Sequence, residues 1–437
     1  MKILLRSGKL PFEYISPEQT LRNNTLGTNS GNLIFSHSMH RMLSVKGVDI
    51  SSNYYKFNPG LASEINDNYD AFVVPLANAF RKSFIEQLDE MTTLIQRLNI
   101  PVIVVGVGVQ ATLDYNTDAL KPYTKSIYNF VTAVLDKSNT IGVRGECTYN
   151  FLVNIGIPKD RIDIIGCPSM FLDGANLSIT KKKEHLDKES KVAINISPYA
   201  KKILDIAEHN RNLIDDLTYI PQNNDSLKRL IWGGNPINPK LPDDITHPMY
   251  MNDKVRFFVD PTTWIDHLKA YDFVFGTRIH GTIMGILAGT PSYLLAHDSR
   301  TLELAEYFEI PHKRIDAIKS TCNAFDLYQE ADYSKMLSGH IDRFDRFTSF
   351  IEKNGLKHVY QSGEDHGAQF DTRIATSVFP REVTTPYGAN NFEIISRIQF
   401  LHQENKRNIA LSNKTIKTLK KLTPKPIIRA LRSLKDI

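Results

Sequence analysis

Apolar residues follow two different spacings along the first 180 residues of the chain. Short uninterrupted runs such as 102–105 are rich in β-branched residues, whereas segments such as 84–98 place an apolar residue at every third or fourth position. The first pattern predicts strands covered on both faces, and the second predicts amphipathic helices. The predicted strands are 71–75, 102–105, 140–143 and 162–165, and the predicted helices are 39–48, 84–98, 127–135 and 148–155. Such alternation indicates βαβ units and a parallel sheet.

A charged stretch, 181–191, interrupts this pattern, and a second alternation follows it. There the predicted strands are 192–196, 257–259, 273–275 and 292–295, and the predicted helices are 203–217, 262–270, 278–287 and 301–308. Beyond about residue 325 the pattern predicts no strands, but a helix over 335–354, a polar loop over 360–390 and helices to the end. We therefore expect an α/β protein with two Rossmann-like doubly wound domains, 1–180 and 190–325, and a helical extension, 326–437.

Two doubly wound domains in one chain also predict where a ligand binds. In such domains the binding site lies beyond the carboxyl ends of the parallel strands. We therefore expect the functional site in the cleft between the two domains.

The composition is that of an ordinary soluble globular protein, with 41 % hydrophobic and 23 % charged residues. It excludes disorder or a fibrous structure over the whole length. The apolar run 100–109 is about half as long as a membrane-spanning helix, and the apolar stretch after Met1 is too short for a signal peptide. Three cysteines without a C-x-x-C pair indicate a reducing compartment rather than disulfides or a cysteine-based zinc site. We expect a cytoplasmic protein.

The net charge of +5 is unevenly distributed. Residues 406–437 hold ten Lys and Arg residues against one acidic residue, so that residues 1–405 carry a net charge of about −4. Because the larger part of the chain offers no broad positive surface, the sequence argues against nucleic acid as its partner.

Two glycine-containing turns in the first half are candidates for lining the cleft. Residues 106–111 follow a predicted strand and match G-x-G-x-x-A, but the sequence after them lacks the helix and the acidic residue of a dinucleotide site. We therefore interpret Gly108 as part of a sharp turn at a strand end. Asn29 and Gly31 stand in a polar turn before a helix, where backbone N–H groups can bind an anion or can simply cap the helix.

The remaining candidates lie where predicted strands end and helices begin. Arg144 and Glu146 follow the strand 140–143, while neighbouring Cys147 is interpreted as packing. Gly276, Thr277, Arg278 and His280 follow the strand 273–275, and Arg300 follows the next strand. A guanidinium, an imidazole and helix N–H groups at one junction are suited to a carboxylate or phosphate. For Arg300, pairing with Glu303 on the helix surface is the structural alternative.

Several of these segments, in their order along the chain, resemble the polysaccharide pyruvyl transferases. In the second half the resemblance rests on Gly276-Thr-Arg-Ile-His280, Ala288-Gly-Thr-Pro291, Asp298-Ser-Arg300 and Phe308-Glu-Ile-Pro311. In the first half it rests on Asn29-x-Gly31, Val143-Arg-Gly-Glu146 and Gly166-Cys-Pro168, and it covers roughly residues 20–315. It implies two Rossmann-like domains in a GT-B-like arrangement, phosphoenolpyruvate as donor, and formation of a pyruvate ketal on a sugar of a polysaccharide or lipid-linked precursor.

For that chemistry the sequence offers a small set of residues. Arg144, Arg278 and Arg300 are the predicted ligands of the donor's carboxylate and phosphate, with Gly276 and Thr277 beside them. His280 is the predicted proton donor to the enol methylene, and the neighbouring arginines should lower its pKa. Asn29, Gly31, Gly108 and Glu146 are assigned to the acceptor side, Glu146 as candidate base. No metal-ligand spacing is apparent in the sequence, and we expect no cofactor.

The basic C-terminal segment has two interpretations. In 425–435 the apolar residues share one helical face, with basic residues around them, a pattern suited to an anionic membrane surface. The alternative is a helix that packs its apolar face back onto the domains. Two other functions also remain open at this point, a GT-B glycosyltransferase with a nucleotide-sugar donor and a non-catalytic module that binds a glycan or an anion.

Overall fold

The computed structural model describes residues 1–234, 238 and 240–422, with side chains up to residue 414. It contains two parallel sheets, one formed by each half of the chain, and helices that cover them. In the first half the strands are β1 (Lys2–Leu5), β2 (Asp49–Ser52), β3 (Ala71–Pro75), β4 (Val102–Val105), β5 (Ile141–Val143) and β6 (Ile162–Ile164). The helices there are α1 (Pro17–Asn23), α2 (Gly31–Leu43), α3 (Ala62–Asn68), α4 (Ile85–Gln96), α5 (Thr124–Leu135) and α6 (Glu146–Asn154).

The first sheet has the strand order β2-β1-β3-β4, and all its pairs are parallel. Strands β5 and β6 form a parallel pair, which an isolated bridge between Val107 and Val143 joins to the β4 edge. Strand order reverses between β1 and β3, because β2 lies on one side of β1 and the later strands lie on the other. Ligands bind at such a reversal, beyond the carboxyl ends of the two strands.

The second sheet has the order β11-β10-β9-β7-β8, again with parallel pairs. Its strands are β7 (Val192–Asn195), β8 (Leu217–Tyr219), β9 (Phe273–Gly276), β10 (Ser292–Ala296) and β11 (His312–Arg314). The helices of this half are α7 (Lys202–Arg211), α8 (Asn224–Trp232), α9 (Pro248–Met251), α10 (Pro261–Leu268), α11 (Ile279–Leu287) and α12 (Ser299–Phe308). Here the order reverses between β7 and β9.

The C-terminal helices return to the first half. They are α13 (Ala324–Glu330), α14 (Ser334–Ser338), α15 (His340–Lys353), α16 (Ala368–Thr376) and α17 (Asn391–Leu422). At the end of α15, the Asn354 side chain accepts from the backbone N–H groups of Asn139 and Thr140 at 3.0 and 3.1 Å. Phe171, after β6, stacks on Phe347 of α15 and makes an edge contact with Phe308 of α12. These contacts join both halves and the C-terminal helices in one core.

The predicted α/β class, two parallel-sheet halves and helical C-terminal region are confirmed. The two sheets border one cleft in a GT-B-like arrangement. Helices α15 and α16 pack on the first half, and α17 contacts both α1 and α8. Many elements also lie within a few residues of their predicted bounds, because buried strands such as β4 and β9 are uninterrupted apolar runs.

Several predicted elements are wrong. The predicted helix 203–217 ends at Arg211, and its last residue begins strand β8. Residues 257–259 are not a strand, since Phe257 pairs only through an antiparallel bridge with Val383. The predicted helix 335–354 is divided at Gly339, and α16 lies inside the predicted loop 360–390. At 203–217 and 257–259, short buried segments have an apolar spacing that periodicity alone cannot assign. Helix α16 was missed because Phe370 is its only buried residue.

Among the described residues, no helix is long and apolar enough to cross a membrane. The segment 425–435, for which an amphipathic helix is predicted, lies outside the described residues.

Candidate active site

The strand-order reversals of the two sheets open on one cavity of about 390 Å³ between the halves. From the first half, its lining includes Arg6 directly after β1 and Leu76 directly after β3. From the second half, it includes Thr277 and Arg278 directly after β9. The position predicted for the ligand site is therefore a concave cavity bounded by both sheets.

Gly276 and Thr277 fix the turn between β9 and α11. Gly276 has a φ of 142°, and a Cβ there would lie 1.9 Å from the carbonyl oxygen of Asn195, so only glycine is accommodated. Thr277 donates its backbone N–H to that carbonyl at 2.9 Å, and its hydroxyl oxygen accepts from the Ser197 N–H at 2.8 Å. The Asn195 side chain accepts from the Arg278 N–H at 2.6 Å. Gly276 is thus buried beneath the site, while Thr277 and Arg278 reach its surface.

His280 lies in the first turn of α11, buried between the two halves. Its Nε2 atom is 3.7 Å from the Sγ atom of Cys167, a buried thiol whose pKa is raised by burial. Burial, followed by the charges of Arg144 and Arg278, lowers the pKa of His280 to about 3. The predicted effect of the arginines is present, but burial is the larger cause. In the empty cleft His280 is therefore a neutral imidazole.

Arg144 reaches the same cavity from the end of β5. Arg144 is only 3 % exposed. Its side chain makes no hydrogen bond within the described chain, and its Nε atom is buried without a partner. Burial lowers its pKa. A Cβ on Gly108 would lie 2.6 Å from the Arg144 Cδ atom, so this glycine leaves the space in which the arginine side chain lies. Arg144 is a buried cation held in place by packing rather than by a carboxylate.

Arg278 and Arg300 approach from the second half. Arg278 donates to the Asn223 side chain, its Nε atom is buried without a partner, and burial lowers its pKa to about 10. Arg300 donates through Nε to Asp298 at 2.8 Å. Burial alone would raise the pKa of Asp298, but the charges of Arg300 and His297 outweigh it and lower that pKa to about 2. The predicted alternative pairing of Arg300 with Glu303 is not formed.

Three basic residues of the cavity lining were missed by the sequence analysis: Arg6, Arg81 and His297. With the Asn78 amide oxygen turned toward the arginines, it accepts from Arg81 Nη1 at 2.6 Å and from Arg300 Nη1 at 2.7 Å, which links the two halves. Arg6 stacks over the Tyr55 ring at 4.8 Å. Arg6 and His297 directly follow β1 and β10, so a basic residue at a strand end was the available signal for these two, whereas Arg81 lies six residues after the end of β3. For Arg6 this signal was missed because the sequence analysis does not predict β1.

The electrostatic character of the cavity is strongly positive. Five arginines and two histidines line it, whereas none of its lining residues in the described part of the chain is acidic. Buried cations are normally paired, because removing an unpaired charge from water is costly. Arg144, Arg278, Arg81 and Arg6 each have a pKa lowered by burial and a buried Nε atom without a partner. The cavity is therefore suited to binding a small anion that carries several negative charges.

Asn29 and Gly31 lie on the opposite wall, at the start of α2. Asn29 lines the cavity, and its side-chain oxygen accepts from the Gly31 N–H at 2.9 Å. A Cβ on Gly31 would lie 2.7 Å from the Nδ1 atom of His280. Gly31 therefore packs against the imidazole rather than lining open space.

The structure does not bring Glu146 to this cavity. Glu146 lines a separate cavity of about 790 Å³ between α6 and α12, because it begins α6 on the side that faces away from Arg144. Glu303 lies there too, and its carboxylate accepts from the Thr148 N–H at 2.7 Å and from the Thr148 hydroxyl at 3.1 Å. Burial raises the pKa of Glu303 to about 7, against the effect of Thr148 and Arg144. The sequence-based assignment of Glu146 to the cleft is therefore wrong, because Glu146 lines the separate cavity.

Within the described residues, no group of three or more His, Cys, Asp or Glu side chains is arranged to hold a metal ion.

The sequence was compared with known families and structures. The model of the family described as polysaccharide pyruvyl transferase matches residues 29–299. No curated protein matches the sequence.

Among similar solved structures is a UDP-GlcNAc 2-epimerase from Neisseria meningitidis bound to UDP-GlcNAc, 11 % identical, with a TM-score of 0.38 over 86 % of this chain and 100 % of that chain. Another is Alr3699/HepE of Anabaena in complex with UDP and glucose, 13 % identical, with a TM-score of 0.40 over 81 % of this chain and 97 % of that chain. With TM-scores below 0.5, these likenesses carry no argument about the ligand of this chain.

Proposed function

The chain belongs to the polysaccharide pyruvyl transferase family, and from this premise we propose that it transfers a pyruvyl group from phosphoenolpyruvate to a sugar of a polysaccharide or its lipid-linked precursor. The proposed product is a pyruvate ketal, and inorganic phosphate is released. Phosphoenolpyruvate enters as a substrate, and the proposed chemistry needs no cofactor.

The observation that supports this donor most strongly is the set of buried and half-buried arginines whose Nε atoms are buried without a partner. Arg144 comes from the first half and Arg278 from the second, and both line a cavity of about 390 Å³ with no acidic residue in its described lining. Phosphoenolpyruvate carries a carboxylate and a phosphate on three carbons. A small cavity with several fixed cations therefore suits phosphoenolpyruvate better than a neutral sugar. Paired donors of a guanidinium suit both anionic groups.

The start of α11 adds a second favourable contribution. The backbone N–H groups of Ile279 and His280 have no acceptor within the described chain, as is usual in a first helical turn. They belong to a nine-residue helix whose positive end faces the cavity. We propose that this helix end and Arg278 hold one anionic group of the donor, and that Arg144 and Arg300 hold the other.

His280 is the proposed proton donor to the enol methylene. Its pKa of about 3 in the empty cleft means that it carries no proton to donate before the donor binds. Two or three negative charges placed beside the ring would raise that pKa, since a nearby opposite charge favours the protonated imidazole. Proton uptake and donor binding are therefore coupled in the proposed cycle.

The proposed reaction balances without a further catalytic carboxylate. His280 protonates the methylene carbon, and an oxocarbenium-like carbon forms at the former enol position. Two sugar hydroxyls add to that carbon, the C–O bond to phosphate breaks, and the ketal keeps the carboxylate. One hydroxyl proton returns to His280 and the other leaves with the phosphate. This assignment replaces Glu146, which lines a different cavity.

A phosphate-release assay tests the proposal. Phosphoenolpyruvate would be supplied with lipid-linked galactosyl or N-acetylmannosaminyl acceptors, and product would be followed by mass as ketal formation. We expect acceptor-dependent phosphate release that is lost in His280→Gln. UDP release from a nucleotide sugar would instead indicate a glycosyltransferase. Donor binding by calorimetry without turnover on any acceptor would indicate a non-catalytic binding module.

A further inference from the structure

The first part of helix α17 packs on the body of the protein. Arg397 donates to the backbone carbonyl of Leu230, the Phe400 ring stacks on Trp232, and Glu404 pairs with Arg22 at 2.8 Å. These three residues lie on one face of the helix, since they follow one another at intervals of three and four positions. They fix the direction in which the helix leaves the body.

Beyond Glu404 the described side chains of α17 are exposed. The helix continues to Leu422. At about 1.5 Å per residue, the part from 405 to 422 is roughly 27 Å long. It contains six Lys and Arg residues and no acidic residue. Most helices in proteins are stabilised by tertiary packing, so a helical segment of this composition is suited to a second, anionic surface.

An apolar stripe runs along α17 on the face opposite the body. It comprises Ile395, Ile398 and Ile409, whose side chains are 53 %, 59 % and 54 % exposed. At about 100° per residue these three lie within roughly 60° of arc, on the side of the helix away from Arg397, Phe400 and Glu404. The stripe is therefore not covered by the domains.

We propose that the face of α17 that carries this apolar stripe docks on an anionic phospholipid surface. The apolar stripe would enter the interface, and exposed basic residues beside it, such as Lys406 and Arg407, would contact lipid head groups. Parallel pairing of two copies through the stripe would bring their like-charged basic segments together. Nucleic acid would use the positive charge but would leave the isoleucines exposed. A lipid surface uses both features.

Docking through this face would bring the cleft near the membrane surface. The use of that position for catalysis rests on the proposed function. Helix α8 connects the two: Gln222 and Asn223, before its start, contact the cavity and Arg278, while Leu230 and Trp232, near its end, contact α17. Nine residues of α helix span only about 13 Å. A protein docked through α17 would therefore hold its cleft close to a lipid-linked acceptor.

Vesicle cosedimentation of the full chain tests the proposal. The probes are phosphatidylcholine vesicles with and without about 30 % phosphatidylglycerol, at low and high salt. We expect wild-type protein to pellet with the anionic vesicles, at least tenfold more than with neutral ones, and less at high salt. The triple variant Ile395→Gln/Ile398→Gln/Ile409→Gln should lose at least tenfold in partitioning. Ile245→Gln/Ile341→Gln, which changes exposed isoleucines elsewhere, is the matched control and should bind as wild type.

Three results would overturn the proposal: wild-type protein that stays in the supernatant, a triple variant that binds as well as wild type, or a dimer in ultracentrifugation that depends on the stripe. Vesicle binding is measured without phosphoenolpyruvate, so its result tests membrane docking independently of the proposed reaction. Phosphate release with a soluble acceptor should be unchanged in the triple variant, because none of its three positions lies in the cleft.

Discussion

Gly31 and His280 come from opposite halves of the molecule and are in direct contact. A Cβ atom on Gly31 would lie 2.7 Å from Nδ1 and 2.8 Å from Cγ of the imidazole. The first residue of α2 therefore determines how closely the first half approaches the proposed proton donor of the second half. The position of the imidazole depends on the packing between the halves as much as on α11.

Gly31→Ala tests that contact. Alanine suits the first turn of a helix, so the fold should remain intact, but overpacking against the buried imidazole should lower the unfolding free energy by about 1–3 kcal/mol. The added methyl group should displace the imidazole and reduce kcat by about 100-fold, as small misplacements of catalytic groups do. The measurement is acceptor-dependent phosphate release at saturating donor, beside a thermal melt. A kcat within twofold of wild type would show that the contact does not position His280.

Donor binding should be accompanied by proton uptake at His280. The pKa of about 3 in the empty cleft must rise when phosphoenolpyruvate binds, and a group whose pKa rises on binding takes up a proton. Calorimetry near pH 7, in two buffers of different ionisation enthalpy, measures this uptake. Any change in ionisation of the donor itself contributes equally to the wild type and to His280→Gln. The difference in proton uptake between the two proteins should therefore approach one proton. Equal uptake in both would contradict the role of His280 as the proton carrier.

Removing the charge of Arg144 should stabilise the empty protein. Burial lowers its pKa and no carboxylate pairs with it, so the folded state bears an uncompensated desolvation cost. We expect Arg144→Gln to raise the unfolding free energy by about 1–2 kcal/mol in denaturant titration without ligand. Arg314→Gln, at an exposed and paired position, is the control and should not stabilise. A clear loss of stability in Arg144→Gln would mean that this arginine is a structural residue.

Glu303 should make stability depend on pH near neutrality. Burial raises its folded-state pKa to about 7, so the protonated carboxyl is favoured in the folded protein, and that contribution is lost as pH rises through 7. Between pH 6 and 8 wild type should lose about 1 kcal/mol relative to Glu303→Gln, since one pKa unit corresponds to about 1.4 kcal/mol. Thermal melts of both across that range measure it. Parallel stability curves would contradict a titrating Glu303 at the α6–α12 contact.

The sequence predicts the buried strands well because they are uninterrupted apolar runs. Strands β3, β4 and β9 lie within one residue of their predicted bounds, since residues covered on both faces by helices must be apolar. It does not predict β8 at Leu217–Tyr219, which is three residues long and continues the apolar spacing of α7. Strand β1 begins at Lys2, beside the chain end, and only its pairing with β2 and β3 identifies it.

The site is predictable where polar residues follow predicted strands. Arg144, Arg278, His280 and Arg300 meet at one cavity, because parallel strands place their carboxyl ends at the same edge of each sheet. The roles of Gly31 and Gly108 depend on contacts between distant segments, which spacing along the chain does not contain. Glu146 was misassigned for a related reason: the first turn of a helix can face either side of a strand end, and only the packing of α12 on α6 decides which.

The central claim is that cations from both halves bind one phosphoenolpyruvate molecule, and titration calorimetry of that donor tests it most directly. We expect Arg144→Gln in the first half and Arg278→Gln in the second each to weaken donor binding at least tenfold. Glu146→Gln and Arg314→Gln, both outside the cavity, should bind as wild type. If the donor bound equally well to wild type and to Arg144→Gln, the claim of a site shared between the halves would be wrong.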